Sequence, residues 1–164
     1  MSVLLFPNVK GSNLLRHQLT LPKDFQGRLN LVFMAFEQWQ QMEVDSWIPL
    51  AEQLEARVSG LVYYELPTIQ SSNTMFQWLL NEGMRAGIPN PKTRARTITL
   101  YLNKIAFRKA LRLPDEDHIY LLVIERQGQV LYQLREPHTT EYETSLRDFL
   151  LHLDENSDSR SDAF

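Results

Sequence analysis

The chain has 164 residues, of which 43% are hydrophobic and 23% are charged, a composition typical of a single globular domain with one core. Its formal net charge of −3 gives no general attraction to nucleic acid. The absence of cysteine excludes disulfide bonds, thiolate catalysis, iron–sulfur clusters and zinc sites built on cysteine.

The lack of a long apolar run and of a secretory signal predicts the compartment of the protein. No run approaches the ~20 apolar residues that cross a bilayer. Residues 1–10 lack the basic stretch, the apolar stretch and the small-residue cleavage site of a secretory signal. We therefore expect a protein of the cytoplasm, or of an equivalent soluble compartment such as an organelle matrix or stroma.

The first half of the chain predicts two strands that alternate with two helices, after an N-terminal extension over residues 1–25. The strands are residues 29–36 (LNLVFMAF) and 61–66 (LVYYEL), and the helices are residues 39–58 and 73–85. Apolar residues of the first helix recur on one helical face, at Trp47, Ala51, Leu54 and Val58. The second strand is expected to end before Pro67.

The second half predicts three strands and two helices. They are a strand at residues 97–102 (TITLYL), a basic helix at 104–113, a strand at 119–124 (IYLLVI), its hairpin partner at 130–134 and a last helix. Thr140 and Glu143 have the spacing of a capping box, which predicts that this last helix begins there. Residues 154–164 are almost entirely polar and predict a disordered acidic tail.

This order of elements predicts an α/β fold for a domain over residues 26–153. Strands separated by helices are usually joined by parallel crossovers, so we expect a mostly parallel central sheet with helices on both faces. The C-terminal β-hairpin adds an antiparallel strand at its edge. The two apolar strands, residues 29–36 and 119–124, are expected to be adjacent or near-adjacent at the centre of the sheet.

Two stretches resemble proteins of the thioredoxin-like (redoxin) superfamily. LTLPKDFQGRLNLVFMAFEQWQ is similar to the opening of a redoxin, in which a Leu-Pro loop and a glycine precede the first central strand, and IYLLVIERQGQVLY is similar to the late hairpin. The resemblance implies a thioredoxin-like fold. It places the paired active-site cysteines at Gln40 and Glu43, and it places His118 near the position of the family's cis-proline. Because both signatures are missing, the resemblance implies the fold without redox activity.

A narrower resemblance covers residues 81–153. GMRAGIP, TITLYL, the short basic helix, IYLLVIERQGQVL and the capped last helix are similar to the mitochondrial ATP synthase assembly factors. Those are cysteine-poor thioredoxin-like proteins that chaperone a membrane subunit of the proton channel. The resemblance implies an assembly factor or chaperone whose partner is a protein, such as a subunit of a membrane complex.

Residue types that carry catalysis or bind metals form no motif in the sequence. The four histidines are His17, His118, His138 and His152. None of them has the spacing of a metal site. No Gly-x-Ser-x-Gly motif or glycine-rich phosphate loop occurs. Glu43 and Asp45 would not share a helix face, so they indicate no catalytic carboxylate pair. We expect no catalytic residue, cofactor or metal, with His118 either a plain strand-entry residue or a functional one.

A basic stretch at residues 85–96 (RAGIPNPKTRAR) is a candidate binding element. It contains four cations and no acid, at Arg85, Lys92, Arg94 and Arg96, and two prolines stiffen it. Such a loop is either a solvated connection or a contact with an acidic partner surface or with anionic lipid headgroups. Nucleic acid is not expected as a partner, because no aromatic residues alternate with the cations.

Trp39, Met42 and Trp47 form a second candidate binding element, where the first central strand is expected to end. If they are exposed, they form an apolar patch that fits a peptide or a transmembrane segment. If they are buried, they belong to the core. The sequence leaves both interpretations open.

These observations favour a non-catalytic binding module, and specifically an assembly factor or chaperone for a membrane complex such as ATP synthase. One alternative is an enzyme that uses the same scaffold without thiols, for instance through His118 and nearby acids. Another is a redox-inactive regulatory partner of an active redoxin. A cleft with convergent polar groups would favour the enzyme, and an open apolar and basic surface would favour the binding module.

Overall fold

A computed structural model describes residues 3–71, 90–135 and 137–161, with side chains described as far as Asn156. The strands are β1 (Val9–Asn13), β2 (Gln18–Leu21), β3 (Leu29–Ala35), β4 (Leu61–Gln70), β5 (Ile98–Leu102), β6 (Tyr120–Glu125) and β7 (Val130–Leu134). The helices are α1 (Gln41–Arg57), α2 (Pro91–Arg96), α3 (Lys104–Leu111) and α4 (Thr140–Ser161), and a 3-10 turn (Gln38–Gln40) precedes α1. None of the described helices combines the length and the apolar character that crossing a membrane requires.

The seven described strands form one sheet in the order β2-β1-β5-β4-β3-β6-β7. Val32 of β3 lies opposite Leu122 of β6, which confirms that the two apolar strands are neighbours. β6 pairs antiparallel with β7. Among the described strands, only the pairs β3–β4 and β4–β5 are parallel. The prediction of a mostly parallel sheet is therefore wrong, and the sheet is mixed.

The connection between β5 and β6 explains why β6 runs opposite to β3. α3 begins at the carboxyl end of β3, where Lys104 Nζ donates to Phe36 O at 2.8 Å. The helix ends earlier than residue 113, because Arg112 adopts a left-handed conformation with a φ of 59°. The chain then returns to the same end of the sheet, where Tyr120 pairs with Met34. A connection that leaves and re-enters at one end of a sheet gives antiparallel strands.

The N-terminal segment is part of the sheet, so the prediction of an extension over residues 1–25 is wrong. β1 pairs antiparallel with β5 on one side and with β2 on the other. A Cβ atom at Gly11 would lie 2.8 Å from side-chain atoms of Ile98 and Leu100. The strand thus needs a glycine where it approaches β5 closely, and such a residue hides the strand from a search for apolar alternation.

β4 continues past Pro67, where the sequence predicted its end. Pro67 lies opposite Ala35, the last residue of β3, and beyond it Thr68 pairs with Leu100 of β5. The proline stands where the ladder with β3 ends, a position at which the missing N–H is tolerated. The predicted helix at residues 73–85 lies outside the described residues.

The two faces of the sheet are covered by different elements. α1 and α4 pack on one face, and the stripe Trp47, Ala51, Leu54 and Val58 is buried there as predicted. α3 packs on the other face through Phe107 and Leu111. Alternate residues of β3 therefore enter two separate cores, which explains why the strand is apolar except for Asn30, whose buried side chain donates to Gly27 O and Ile124 O.

α4 extends through Ser161, so the prediction of a disordered tail over residues 154–164 is wrong for residues 154–161, and the rest of that range lies outside the described residues. Asp154 Oδ1 accepts hydrogen bonds from Ser59 N and Arg28 Nη2, each at 3.3 Å. Lengthening a helix that is already packed costs far less than starting a new one, so polar composition does not end it.

Candidate functional site

The candidate site lies at the carboxyl end of β3, where the chain enters the 3-10 turn and then α1. Gln40 is fully buried there. Its Oε1 accepts from Phe36 N at 2.8 Å and from Glu37 N at 3.2 Å, and its Nε2 donates to Glu116 O. At the first position where the resemblance places a cysteine, the side chain therefore ties the turn to the loop before β6.

Glu43 stands at the second of these positions and meets His118. Glu43 Oε2 accepts from Ile119 N at 3.3 Å, and Glu43 Oε1 lies 3.8 Å from His118 Nδ1. His118 Nδ1 is buried and has no hydrogen-bond partner among the described residues. The fold thus brings together the residues that the resemblance singled out, as a carboxylate beside an imidazole.

Two cations of α3 are bound to Glu116 next to Gln40. Lys104 Nζ donates to Glu116 Oε1 at 3.2 Å, and Arg108 Nε donates to Glu116 Oε2 at 2.9 Å. The sequence showed a basic helix but not this network, because Glu116 lies in a loop whose path follows from tertiary structure. These two cations therefore share a single carboxylate.

The apolar patch predicted at this end divides into an exposed part and a buried part. Trp39 is 56% exposed and Met42 is 79% exposed. Trp47 is fully buried, with its ring against Phe33 and His138. Membership of the buried stripe is the sequence signal that separates Trp47 from the other two residues.

Exposed carboxylates lie on the elements next to the exposed pair. Glu37 and Asp45 are exposed on the turn and helix that carry Trp39 and Met42, and Asp117 is exposed in the loop whose His118 faces Glu43. The exposed charges of these elements are therefore mainly acidic, which the net charge of the chain did not predict.

The basic stretch is not the loop that the sequence predicted. Residues 91–96 form α2, whose first turn is capped by the Asn90 side chain, which accepts from Lys92 N at 2.9 Å. Arg96 is bound to Glu55 of α1, and its guanidinium lies 4.6 Å from the ring centroid of Tyr63. Arg96 is thus held against α1 and β4 instead of being displayed to a partner.

The other three cations of this stretch differ in exposure. Lys92 is exposed and Arg94 is half-buried. Arg85 lies outside the described residues. The four cations therefore do not form one exposed basic surface within the described part of the chain.

Glu65 is a buried carboxylate that the sequence analysis missed. It projects from β4 below the start of α1, where Glu65 Oε1 accepts from Gln41 Nε2 at 3.0 Å and Glu65 Oε2 accepts from Thr97 Oγ1 at 3.5 Å. Burial raises the pKa of Glu65, and the charge of Asp45 adds to the rise, while the two hydrogen bonds oppose it. The sequence signal that could have identified Glu65 is its place as the one acid in the otherwise apolar strand LVYYEL.

The described side chains offer few chemical options. No group of three or more His, Cys, Asp or Glu side chains in residues 3–71, 90–135 and 137–156 is arranged to hold a metal ion. The titratable pair of Glu43 and His118 has the composition of a general acid–base site. The exposed Trp39 and Met42, with exposed acids on the same turn and helix, have the composition of a docking surface.

Comparisons with known proteins show which proteins have a similar architecture. No family model and no curated protein matches the sequence. Yeast Sco1 with copper bound is similar in structure, with a TM-score of 0.62 and 12% identity over 93% of this chain and 93% of that chain. A thiol:disulfide interchange protein from Bacteroides sp. has a TM-score of 0.56 and 12% identity over 92% of this chain and 90% of that chain.

A third solved structure is the thioredoxin domain of a thiol-disulfide oxidoreductase from Bacteroides vulgatus. It has a TM-score of 0.57 and 12% identity over 92% of this chain and 99% of that chain. Similarity at this level of identity establishes architecture and not activity. The chain therefore has a thioredoxin-like α/β fold, and it has this fold without a cysteine.

Proposed function

We propose that this protein is a non-catalytic binding module that docks a protein partner at the carboxyl end of β3. The observation that carries the proposal is the exposure of Trp39 and Met42 at that end. Large exposed apolar side chains next to one another are typical of interaction sites, and tryptophan is enriched among the residues that dominate binding energy.

The polar groups around this pair support a binding role over a catalytic one. Gln40 is fully buried, and both of its side-chain polar atoms are engaged with the backbone. Lys104 and Arg108 are bound to Glu116. These contacts make the turn rigid, and a rigid surface loses less conformational entropy on binding.

The finer part of the proposal is that the partner is a subunit of a membrane complex such as ATP synthase. The protein would then act as an assembly factor or chaperone. The resemblance of residues 81–153 to the assembly factors supports this choice, and so does the apolar character of the exposed pair, which suits an apolar segment awaiting insertion.

The experiment that tests the proposal is affinity capture from native membranes, with identification of the captured proteins. Wild type is compared with the double variant Trp39→Ala/Met42→Ala. The matched control is Val3→Ala/Leu5→Ala, whose side chains are 59% and 58% exposed. Leu5 bridges to Gln129, near the end of the sheet where Leu29 and Glu125 pair, opposite to Trp39.

We expect wild type and the control variant to capture subunits of one membrane complex, and we expect the Trp39/Met42 variant to lose them. Capture that is the same for all three proteins would contradict docking at this end. Capture of an active redoxin in place of a membrane subunit would instead favour the regulatory-partner alternative.

An enzyme that works without thiols is a second candidate function, favoured by the 3.8 Å approach of Glu43 Oε1 to His118 Nδ1. Its test is turnover of aryl esters and aryl phosphates by the pure protein. Turnover that disappears in His118→Gln, while partner capture stays intact, would establish the enzyme. We expect that neither wild type nor the His118→Gln variant turns over these substrates faster than the uncatalysed rate.

A further inference from the structure

The exposed face of the 3-10 turn and α1 continues beyond Trp39 and Met42. Six exposed residues lie within less than half of the helix circumference, namely Gln38, Trp39, Met42, Asp45, Ser46 and Pro49. The spacing of Trp39, Met42, Ser46 and Pro49 follows one helical stripe. The surface is thus an elongated strip along the helix, with its apolar part at the N-terminal end.

The charges beside this strip are of one sign. The Glu37 side chain is 50% exposed. Asp45 lies one helical turn from Met42, and Asp117 comes from the loop before β6. In the described part of the chain, Asp45 and Asp117 form no ion pair.

The cations near this strip offset only part of these charges, since they face Glu37 and Glu116 and none of them pairs with Asp45 or Asp117 in the described part of the chain. Lys104 and Arg108 both face Glu116, and Lys104 Nζ is 3.9 Å from Glu37 Oε1. Arg135 is bound to Asp115. The apolar N-terminal part of the strip therefore has a surplus of negative charge beside it, from Asp45 and Asp117.

We infer that the partner segment bound by Trp39 and Met42 is apolar at its centre and carries lysine or arginine at its flanks, which contact Glu37, Asp45 and Asp117. This inference rests on the proposed docking at the carboxyl end of β3. Charge complementarity of this kind selects partners and speeds their association. The same acids repel anionic headgroups, so at this end the surface fits a protein segment and not an anionic membrane.

The test uses three synthetic peptides of about 12 residues, roughly three helical turns. They share one apolar centre and differ in their flanks, which are lysine, serine or glutamate. Binding to the full chain is measured by titration at low and at high salt. We expect the lysine-flanked peptide to bind most tightly and the glutamate-flanked peptide least, with a preference that shrinks as salt increases.

The charge variant is Glu37→Gln/Asp45→Asn/Asp117→Asn. We expect it to lose about tenfold in affinity for the lysine-flanked peptide and little for the serine-flanked peptide, since exposed ion pairs each contribute modestly. The matched control is Glu125→Gln/Asp148→Asn/Glu155→Gln, three acids of β6 and α4 that lie off the α1 strip, which should leave both affinities unchanged. Thermal midpoints of all variants establish that each one is folded.

Three results would overturn the inference. They are equal affinity for lysine and glutamate flanks, binding of none of the peptides, and binding of phosphatidylglycerol vesicles in place of the peptides. The proposed function fails separately, if the partner captured from native membranes does not depend on Trp39 and Met42. If that capture does depend on them but not on the three acids, only the present inference fails.

Discussion

Single side chains decide what the carboxyl end of β3 is able to do. Gln40 and Glu43 occupy the positions that the resemblance assigns to cysteines, yet their contacts differ. Gln40 binds backbone groups on two segments, whereas Glu43 faces His118 and accepts from Ile119 N. The contacts of the Gln40 side chain thus stabilise the fold. The contacts of Glu43 orient the loop before β6.

Gln40→Ala is expected to lower the free energy of unfolding by about 3 kcal/mol. The substitution leaves the N–H groups of Phe36 and Glu37 and the carbonyl of Glu116 without their partner, and each unsatisfied buried group costs about 1–3 kcal/mol. Denaturant unfolding measures the loss. The neighbouring exposed Gln38→Ala should change the value by less than about 0.5 kcal/mol, and equal losses for both variants would refute the bracing role.

Glu65 predicts a pH dependence of stability with a definite sign. Because burial raises the pKa of Glu65 in the folded protein, the native state binds more protons than the unfolded state between the two pKa values. Stability therefore falls as the pH rises from the unfolded pKa through the folded pKa. A glutamine at this position avoids the buried charge, while it can accept from Gln41 and donate to Thr97.

Glu65→Gln is accordingly expected to have a higher thermal midpoint than wild type at pH 8. The difference should shrink as the pH falls and wild-type Glu65 becomes protonated. Melting curves across this range measure it. A midpoint at pH 8 below that of wild type would show that the carboxylate is stabilising in its charged form.

The elements differ in how far the sequence predicted them. β3 and β6 were predicted because strands buried on both faces are almost entirely apolar. α1 was predicted because Trp47, Ala51 and Leu54 recur on one face of the helix. β1 was missed because Gly11 is required by close approach to β5 and not by periodicity. The predicted direction of β6 was wrong because the connection through α3 leaves and re-enters at the same end of the sheet, a path that local sequence pattern does not reveal.

The candidate site was predicted in part, for comparable reasons. The resemblance located Gln40, Glu43 and His118, and the structure shows Glu43 beside His118. The sequence analysis left open whether Trp39 and Trp47 are exposed, although the place of Trp47 in the apolar stripe of α1 was a signal for its burial. Arg96 looked available because its partner Glu55 is distant in sequence and becomes a neighbour only through the packing of α2 near α1.

The C-terminal part of α4 contributes to stability through Asp154. Its carboxylate joins Ser59 N and Arg28 Nη2 at the end of the sheet opposite to Trp39. Asp154→Ala is expected to lower the free energy of unfolding by about 1 kcal/mol, a modest value because Arg28 is partly solvated. Exposed Glu155→Ala serves as the control, and denaturant unfolding that gives the same value for both variants would remove this role.

In the molecule as a whole, the two ends of the sheet differ in the contacts that cover them. At one end, the N-terminal segment is joined to the β6–β7 turn through Phe6 N and Gly128 O at 2.8 Å, and Asp154 joins α4 to Arg28 and Ser59. At the other end, Trp39 and Met42 remain exposed above a rigid turn. The proposed docking surface thus lies at the end of the sheet away from these contacts.

Photo-cross-linking in native membranes tests the docking claim most directly, because it reports which residue touches the partner. A photoreactive phenylalanine analogue replaces Met42 in one protein and Leu5 in another, two exposed positions at opposite ends of the sheet. We expect an adduct from position 42 with a subunit of one membrane complex, and none from position 5. Adducts of equal yield from both positions, or an adduct from position 5 alone, would contradict it.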